Sequence, residues 1–358
     1  MNKNEKLLII DGSSMLTTAF YGNAPLELAR AKEEVDREPY YKYLLQTSDG
    51  IYTNAIYEMM KKLLQIIKQQ QPEYIAICFD KTRDTFRREI YPEYKGTRHS
   101  KPEALSQQYA LIEKLLQEIG ISVFMSNRYE ADDIAGSLVK KFKKDVNCIV
   151  MTKDFDYMQL LSEEDNVKCW FGVTPNKYAA FTADYPGCNF DTPECFVEVS
   201  EDMLAPEWGL YKASQVIDFK ALAGDASDNI PGVKGIGDKT AIALLEVFDT
   251  VDEIYQAVDE KKENFESFVK EQKNNVRKGF YNKLTADGAK ESAMMSKKLA
   301  TIKTDIDLHC SLEDLKTHLK PNLLMNILKR YEFNSIIKDL GTVYASGIIS
   351  EAENNKAA

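Results

Sequence analysis

Leu7-Leu8-Ile9-Ile10-Asp11 is an unbroken apolar run that stops on a carboxylate. Three further stretches repeat the pattern. The run at 74–80 ends on Asp80, the run at 121–125 is followed by Glu130-Ala131-Asp132-Asp133, and the run at 147–152 by Lys153-Asp154-Phe155-Asp156. A fifth, weaker run covers 167–171. Continuous aliphatic and β-branched runs of this length read as strands buried on both faces. Helical periods at 55–70, 103–119 and 131–142 separate them. Strand and helix in alternation predict an α/β fold, with a mostly parallel central sheet and helices on both faces. Ligands of such sheets gather outside the carboxyl ends of the strands, which is where these acids fall.

The acids need a physical reason to be there. Two unit charges of like sign about 4 Å apart repel by roughly 1 kcal/mol in water and about 4 kcal/mol at an effective dielectric of about 20. A lone strand-end aspartate is accounted for as a helix N-cap, and Asp11 taken singly reads that way. Four successive strands delivering carboxylates to one edge read instead as a site for divalent cations. The chain has three histidines and six cysteines (Cys78, Cys148, Cys169, Cys188, Cys195 and Cys310), with no Cys-x-x-Cys pair. That pattern argues against zinc and for reduced cysteines. A site built from oxygen suits magnesium or manganese.

With 358 residues, 44% hydrophobic and 28% charged, the chain is long enough for two domains and has a globular composition. No apolar stretch reaches bilayer-spanning length. The opening Met1-Asn2-Lys3-Asn4-Glu5-Lys6 is not a secretory signal. A cytoplasmic protein without membrane association is expected. The net charge of −10 conceals a basic segment: Lys81, Arg83, Arg87, Arg88, Lys95, Arg98 and Lys101 against Asp84, Glu89 and Glu93, with Tyr91 and Tyr94 interleaved. Such a segment is either a solvated helical face or a directed phosphate contact.

Beyond about residue 210 the pattern turns helical. Gly224-Asp225-Ala226-Ser227-Asp228-Asn229-Ile230 leads into Pro231-Gly232-Val233-Lys234-Gly235-Ile236-Gly237-Asp238-Lys239-Thr240. The glycines permit tight turns and close approach to a ligand. A helix expected at 239–248 presents its first N–H groups to an anion. Asp238 follows Gly237 where a Walker A loop has Lys, so ATP binding is not expected. Segments 27–43 and 181–199 show no clear period. The expected division is an α/β core at 1–209 carrying a basic arch at about 81–110, a helical region at 210–345, and a disordered tail at 346–358.

Taken together, these motifs resemble the 5′ nuclease family of flap endonucleases, phage 5′ exonucleases and the N-terminal nuclease domain of bacterial DNA polymerase I. The resemblance covers about residues 7–340. It rests on Ile9-Ile10-Asp11-Gly12-Ser13-Ser14, on Phe79-Asp80 with Thr85-Phe86-Arg87-Arg88-Glu89 and Tyr94-Lys95-Gly96-Thr97-Arg98, and on Tyr129-Glu130-Ala131-Asp132-Asp133. It continues through 152–161 and 224–241. The likeness is greatest to the polymerase I domain, extending to Leu299-Ala300-Thr301-Ile302-Lys303-Thr304-Asp305 and Lys329-Arg330-Tyr331-Glu332-Phe333.

The resemblance implies a PIN-like nuclease core with a helix-hairpin-helix region. It implies one metal site from Asp11, Asp80, Glu130 and Asp132, and a second from Asp133, Asp154, Asp156, Asp225 and Asp228, for two Mg2+ (or Mn2+) ions. It implies that Gly232, Lys234, Gly235, Gly237, Lys239 and Thr240 grip duplex DNA, with K+ at the turn. The basic segment resembles the family's helical arch: Lys95 and Arg98, with Arg87, are implied in catalysis at the scissile phosphate, and Arg87, Tyr94, Lys95 and Arg98 in DNA binding. Thr18 stands where the polymerase-type pattern usually has Arg, and 27–43 and 181–199 have no clear counterpart.

The expected activity is that of a divalent-metal-dependent 5′-3′ exonuclease and 5′ flap endonuclease. It would act as a monomer on DNA flaps, nicks or recessed 5′ ends, leaving 5′-phosphate and 3′-hydroxyl, beside a separate DNA polymerase in replication and repair. No polymerase activity is expected, because the sequence stops where a polymerase would continue. A haloacid-dehalogenase-type phosphatase needs a second acid two residues after Asp11, where Ser13 stands. A related single-domain ribonuclease lacks the hairpin, and a silent binding module would not retain every acid.

Overall fold

The computed structural model describes residues 5–344 apart from 189, 274, 275 and 277; the expected tail at 346–358 lies outside the described residues. Five strands form where apolar runs predict them: Lys6–Asp11 (β1), Tyr74–Asp80 (β2), Ser122–Ser126 (β3), Asn147–Thr152 (β4) and Lys168–Gly172 (β5). A sixth, Phe196–Val199 (β6), was not expected. The sheet order is β3-β2-β1-β4-β5-β6. The first five strands are parallel and β6 runs antiparallel on the edge. Four residues are too few to show a period, and β6 is fixed by cross-strand partners. Glu198 accepts from Lys168 Nζ at 2.6 Å and from Trp170 Nε1 at 3.1 Å.

Alternation along β1 explains why the sheet is covered twice. Leu8 and Ile10 enter one core with Leu16 and Phe20 of the helix Gly12–Gly22, Met59 of Asn54–Gln70 and Ile112 of Glu103–Glu118. Leu7 and Ile9 point the other way, onto Ile134 and Leu138 of the helix Ala131–Phe142. Each such side chain, fully withdrawn from water, contributes about 1.5–3 kcal/mol. All four are fully buried.

A separate core runs from Met158 and Phe181 through the helices Gln215–Ala223, Asp238–Val247 and Val251–Lys261 to Ala293. The chain then returns. Leu324, Ile327 and Leu328 of the helix Pro321–Arg330, with Phe333, Ile336 and Leu340, pack into the core that contains Leu8 and Ile10. Among the described residues no helix is long and apolar enough to cross a membrane.

Candidate active site

The sheet changes winding direction between β1 and β4, so their carboxyl ends flank a crevice. Asp11 closes β1 and caps the following helix: its Oδ1 accepts the Ser14 N–H at 2.9 Å, and its Oδ2 accepts the Thr152 hydroxyl from β4 at 2.8 Å. Asp80 closes β2 in register with Ser126 of β3, and its Oδ1 accepts the Ala131 N–H at 2.9 Å. Glu130 is the N-cap of Ala131–Phe142, whose N–H groups and helix dipole favour acids there. Asp154 caps the 3-10 turn Phe155–Leu160 and accepts from the Asp156 N–H at 3.0 Å. The four strand ends thus bring their acids to one edge.

The hairpin reaches the same edge. Asp225 and Ile230 exchange backbone hydrogen bonds at 2.9 and 2.8 Å, closing a tight loop over 226–229. Its sharpest point is Gly232, at φ +60°, where an added Cβ would stand 2.3 Å from the Gly224 nitrogen. The basic segment docks on this loop. Lys95 N–H donates to the Asp228 carbonyl at 2.8 Å, and Asn229 Nδ2 to the Glu93 carbonyl at 2.7 Å. Lys95 itself takes a left-handed backbone at φ 53°.

The nine acids divide into two groups. Five are paired with protein cations. Glu130 and Asp228 share Lys95, Arg98 also pairs with Asp228, and Asp156 and Asp225 share Lys220, whose Nζ is 2.5 Å from Asp225 Oδ2. Asp133 takes the Arg87 guanidinium in a fork, Nη1 to Oδ2 at 2.6 Å and Nη2 to Oδ1 at 2.8 Å. The other four, Asp11, Asp80, Asp132 and Asp154, form no ion pair among the described residues. Burial is the main cause pushing the Asp11 carboxyl up to about 7, with Asp80 and Asp154 adding like charge. Burial first and then Asp133 hold Asp132 well above the usual carboxylate range. Burial likewise raises Asp154, against the pull of Lys220. Around Asp225 and Asp228 burial is outweighed: Lys220 brings Asp225 down to about 2, and Lys95 with Arg98 lower Asp228.

This donor set fits hard divalent cations. It is all oxygen, it sits at the carboxyl edge, and burial raises three of its carboxylates, Asp11, Asp132 and Asp154, a cost that a bound cation would offset. Among the described residues no three His, Cys, Asp or Glu already stand as a finished coordination shell.

The structure buries three of the expected site residues among protein partners. Arg87, expected at the phosphate, is 1% exposed and also donates to the Leu299 and Thr301 carbonyls at 2.8 and 2.9 Å. Its donors are spent within the core. Asp133, expected as a metal ligand, is buried with both oxygens taken by Arg87. Tyr94, expected against DNA, is buried and donates its hydroxyl towards Glu130 at 3.2 Å and Asp228 at 3.1 Å. Lys95 and Arg98 stand beside the acids as expected. At the hairpin, Lys234, Gly235, Gly237 and Lys239 are exposed, Thr240 is half-buried and Gly232 is buried beneath them. Sequence reading missed Lys220, a buried lysine at the end of a helix; its one signal is its place five residues before Asp225.

Comparison with known proteins agrees with this geometry. Residues 6–185 match the family model of the 5'-3' exonuclease N-terminal resolvase-like domain, and 211–322 that of the 5'-3' exonuclease C-terminal SAM fold. DNA polymerase I of Caldicellulosiruptor bescii is 35% identical over 338 residues, covering 94% of this chain and 33% of that protein. The chain therefore spans about a third of the length of that relative. The 5'-3' exonuclease of Bacillus subtilis is 29% identical, covering 97% of this chain and 99% of that one. Among solved structures, T5 5'-exonuclease with bound divalent metal ions (zinc) superposes with a TM-score of 0.56 at 20% identity, covering 91% of this chain and 99% of the other. T5 D15 flap endonuclease, in a complex with DNA and metal ions, gives 0.52 at 20% identity, covering 92% and 100%. Both likenesses concern the fold.

Proposed function

The chain belongs to the 5′-3′ exonuclease family, and we propose that it hydrolyses DNA phosphodiester bonds at 5′ flaps, nicks and recessed 5′ ends. The products are a 5′-phosphate and a 3′-hydroxyl. One observation supports the reading: Asp11, Asp80, Asp132 and Asp154 lie along the carboxyl edge of the sheet with no ion pair among the described residues. Magnesium or manganese would be held there, with Glu130, Asp156, Asp225 and Asp228 completing the set. Bound divalent cations supply Lewis acidity at the scissile phosphate.

The chain's own residues do the rest. Thr152 and the Ser14 N–H hold Asp11 in one orientation, and the Ala131 N–H does the same for Asp80. Lys95, Arg98 and Lys220 neutralise the other acids while the site waits. With DNA bound, Lys95 and Arg98 would exchange carboxylate for phosphate, and Arg98 offers the fork geometry that phosphate oxygens fit. The hairpin's exposed Lys234 and Lys239 hold the duplex by its backbone, which makes recognition depend on shape and salt and not on base sequence. A potassium ion at the hairpin turn would have to share it with Lys283, whose ammonium already donates to the Gly235 carbonyl at 2.6 Å. The protein would act as a cytoplasmic monomer, beside a separate polymerase.

Incubation of a 5′-labelled DNA flap with magnesium, with chelator, and with a blocked 5′ end tests this. Cleavage near the flap junction, only with metal and a free end, is expected. Cutting that persists in chelator overturns the assignment.

A further inference from the structure

A cavity of about 240 Å³ opens beside Asp11, with no residue of the basic segment or the hairpin in its lining. The helices Gly12–Gly22 and Asn54–Gln70 and the edge strand β6 enclose it. Met15, Ala19, Met59 and Phe196 make its apolar walls, and Lys62 and Lys153 line it as well. Neither ammonium has an ion-pair partner among the described residues. Two acids share the cavity, and both are engaged by neighbours that line it too: Glu58 Oε1 accepts from Asn23 Nδ2 at 2.8 Å, and Asp11 from Ser14 and Thr152.

The lysines are seated, not stray. Lys62 Nζ lies 4.7 Å from the centre of the Phe196 ring. The stem of Lys153 runs over Gly172, where an added Cβ would stand 2.6 Å from its Cγ. Burial and then the charge of Lys153 lower the Lys62 ammonium's pKa. Two ammonium groups lining one cavity, with Glu194 only partly offsetting their mutual charge on Lys62, suit a dianion, and a terminal phosphate monoester carries about −1.5 to −2 charges at neutral pH where a phosphodiester carries one. Methionine and phenylalanine walls suit a flat ring.

We propose that this cavity seats one nucleoside bearing a 5′-phosphate monoester, with its phosphate between Lys62 and Lys153 and its base against Met59 and Phe196. The proposal rests on the function just given, because hydrolysis of that kind creates a 5′-phosphate close to Asp11. Such an end comes either from the DNA strand that remains or from a released mononucleotide.

The test is calorimetric titration of the full chain, in chelator, with deoxyadenosine 5′-monophosphate, the 3′-monophosphate, deoxyadenosine and inorganic phosphate. The 5′-monophosphate should bind at least tenfold more tightly than the other three. Lys62→Ala should weaken it about tenfold, and Thr18→Trp, an exposed position on the cavity rim, should abolish it while circular dichroism stays native. Displacement by a 5′-phosphorylated decamer but not its 5′-hydroxyl twin supports the proposal and identifies the strand end as the source. Displacement by neither decamer, with 5′-monophosphate binding intact, supports it with free mononucleotide as the source. Equal binding of all four probes, or native affinity in both variants, overturns it. Because these titrations contain no metal, they are read separately from flap cleavage. Nucleotide binding without cleavage would sink the nuclease reading alone, and cleavage without selective nucleotide binding would sink the cavity alone.

Discussion

Arg87 grips Asp133 through two parallel hydrogen bonds, at 2.6 and 2.8 Å, in a part of the core that water does not reach. Removing one member of a buried charge pair leaves the other uncompensated, at a cost of about 3–5 kcal/mol. Arg87→Ala should therefore lower thermal and urea stability by that amount, with Arg87→Lys losing part of it because an ammonium cannot fork. An unchanged melting temperature with weakened DNA binding would restore Arg87 to the phosphate contacts.

Asp154 belongs to the unpaired group. Asp154→Ala should cut the rate of flap cleavage by at least about 10²-fold, the scale seen when a preorganised electrostatic element is removed. Flap affinity, measured by fluorescence anisotropy in chelator, should stay within a few-fold. Survival of cleavage would show that the acid edge is not the reaction centre.

Lys220 neutralises Asp156 and Asp225 together. Lys220→Met should destabilise the metal-free protein by about 3–5 kcal/mol, since two buried carboxylates lose their shared counter-ion. Added magnesium should then raise the variant's melting temperature by more than it raises the native protein's. Equal shifts in both would mean that the ion binds away from these acids.

Gly232 and Gly237 are one turn apart and should respond differently. Gly232→Ala sets a Cβ 2.3 Å from backbone at φ +60°; the left-handed conformation alone costs roughly 1–2 kcal/mol, and the clash adds to it. Gly237 has ordinary backbone and nothing within 4 Å of an added Cβ. Gly237→Ala should fold normally, whereas Gly232→Ala should melt earlier and lose duplex affinity.

The logarithm of duplex affinity should fall linearly with log salt, and Lys234→Ala and Lys239→Ala should each reduce the slope by about 0.9, the value for one phosphate contact. Slopes that do not change would remove these lysines from the interface.

The sheet was legible because its strands are continuous apolar runs, a signal that survives without tertiary context. The acids were legible because they sit at strand ends, where topology alone gives them a common edge. The helix Gly12–Gly22 was not, since Gly-Ser-Ser and paired threonines are weak helix formers. It forms because Asp11 caps it and Leu16 and Phe20 are buried beneath it. The burial of Arg87, Tyr94 and Lys220 was not legible in the sequence for one reason. Periodicity tells which apolar residues turn inward, but a buried cation or hydroxyl is placed by its partner, and those partners lie 46, 134 and 64 positions away at Asp133, Asp228 and Asp156.

The return of Leu324, Ile327 and Leu328 to the sheet has a practical meaning for anyone cutting this molecule up. A fragment stopped at residue 209 would leave an oily wound where those side chains belong, beneath Met59 and Ile112. The two matched regions are thus no pair of detachable cassettes: the closing helices are a clasp, and the piece worth cloning, grafting or fusing is the whole length they fasten.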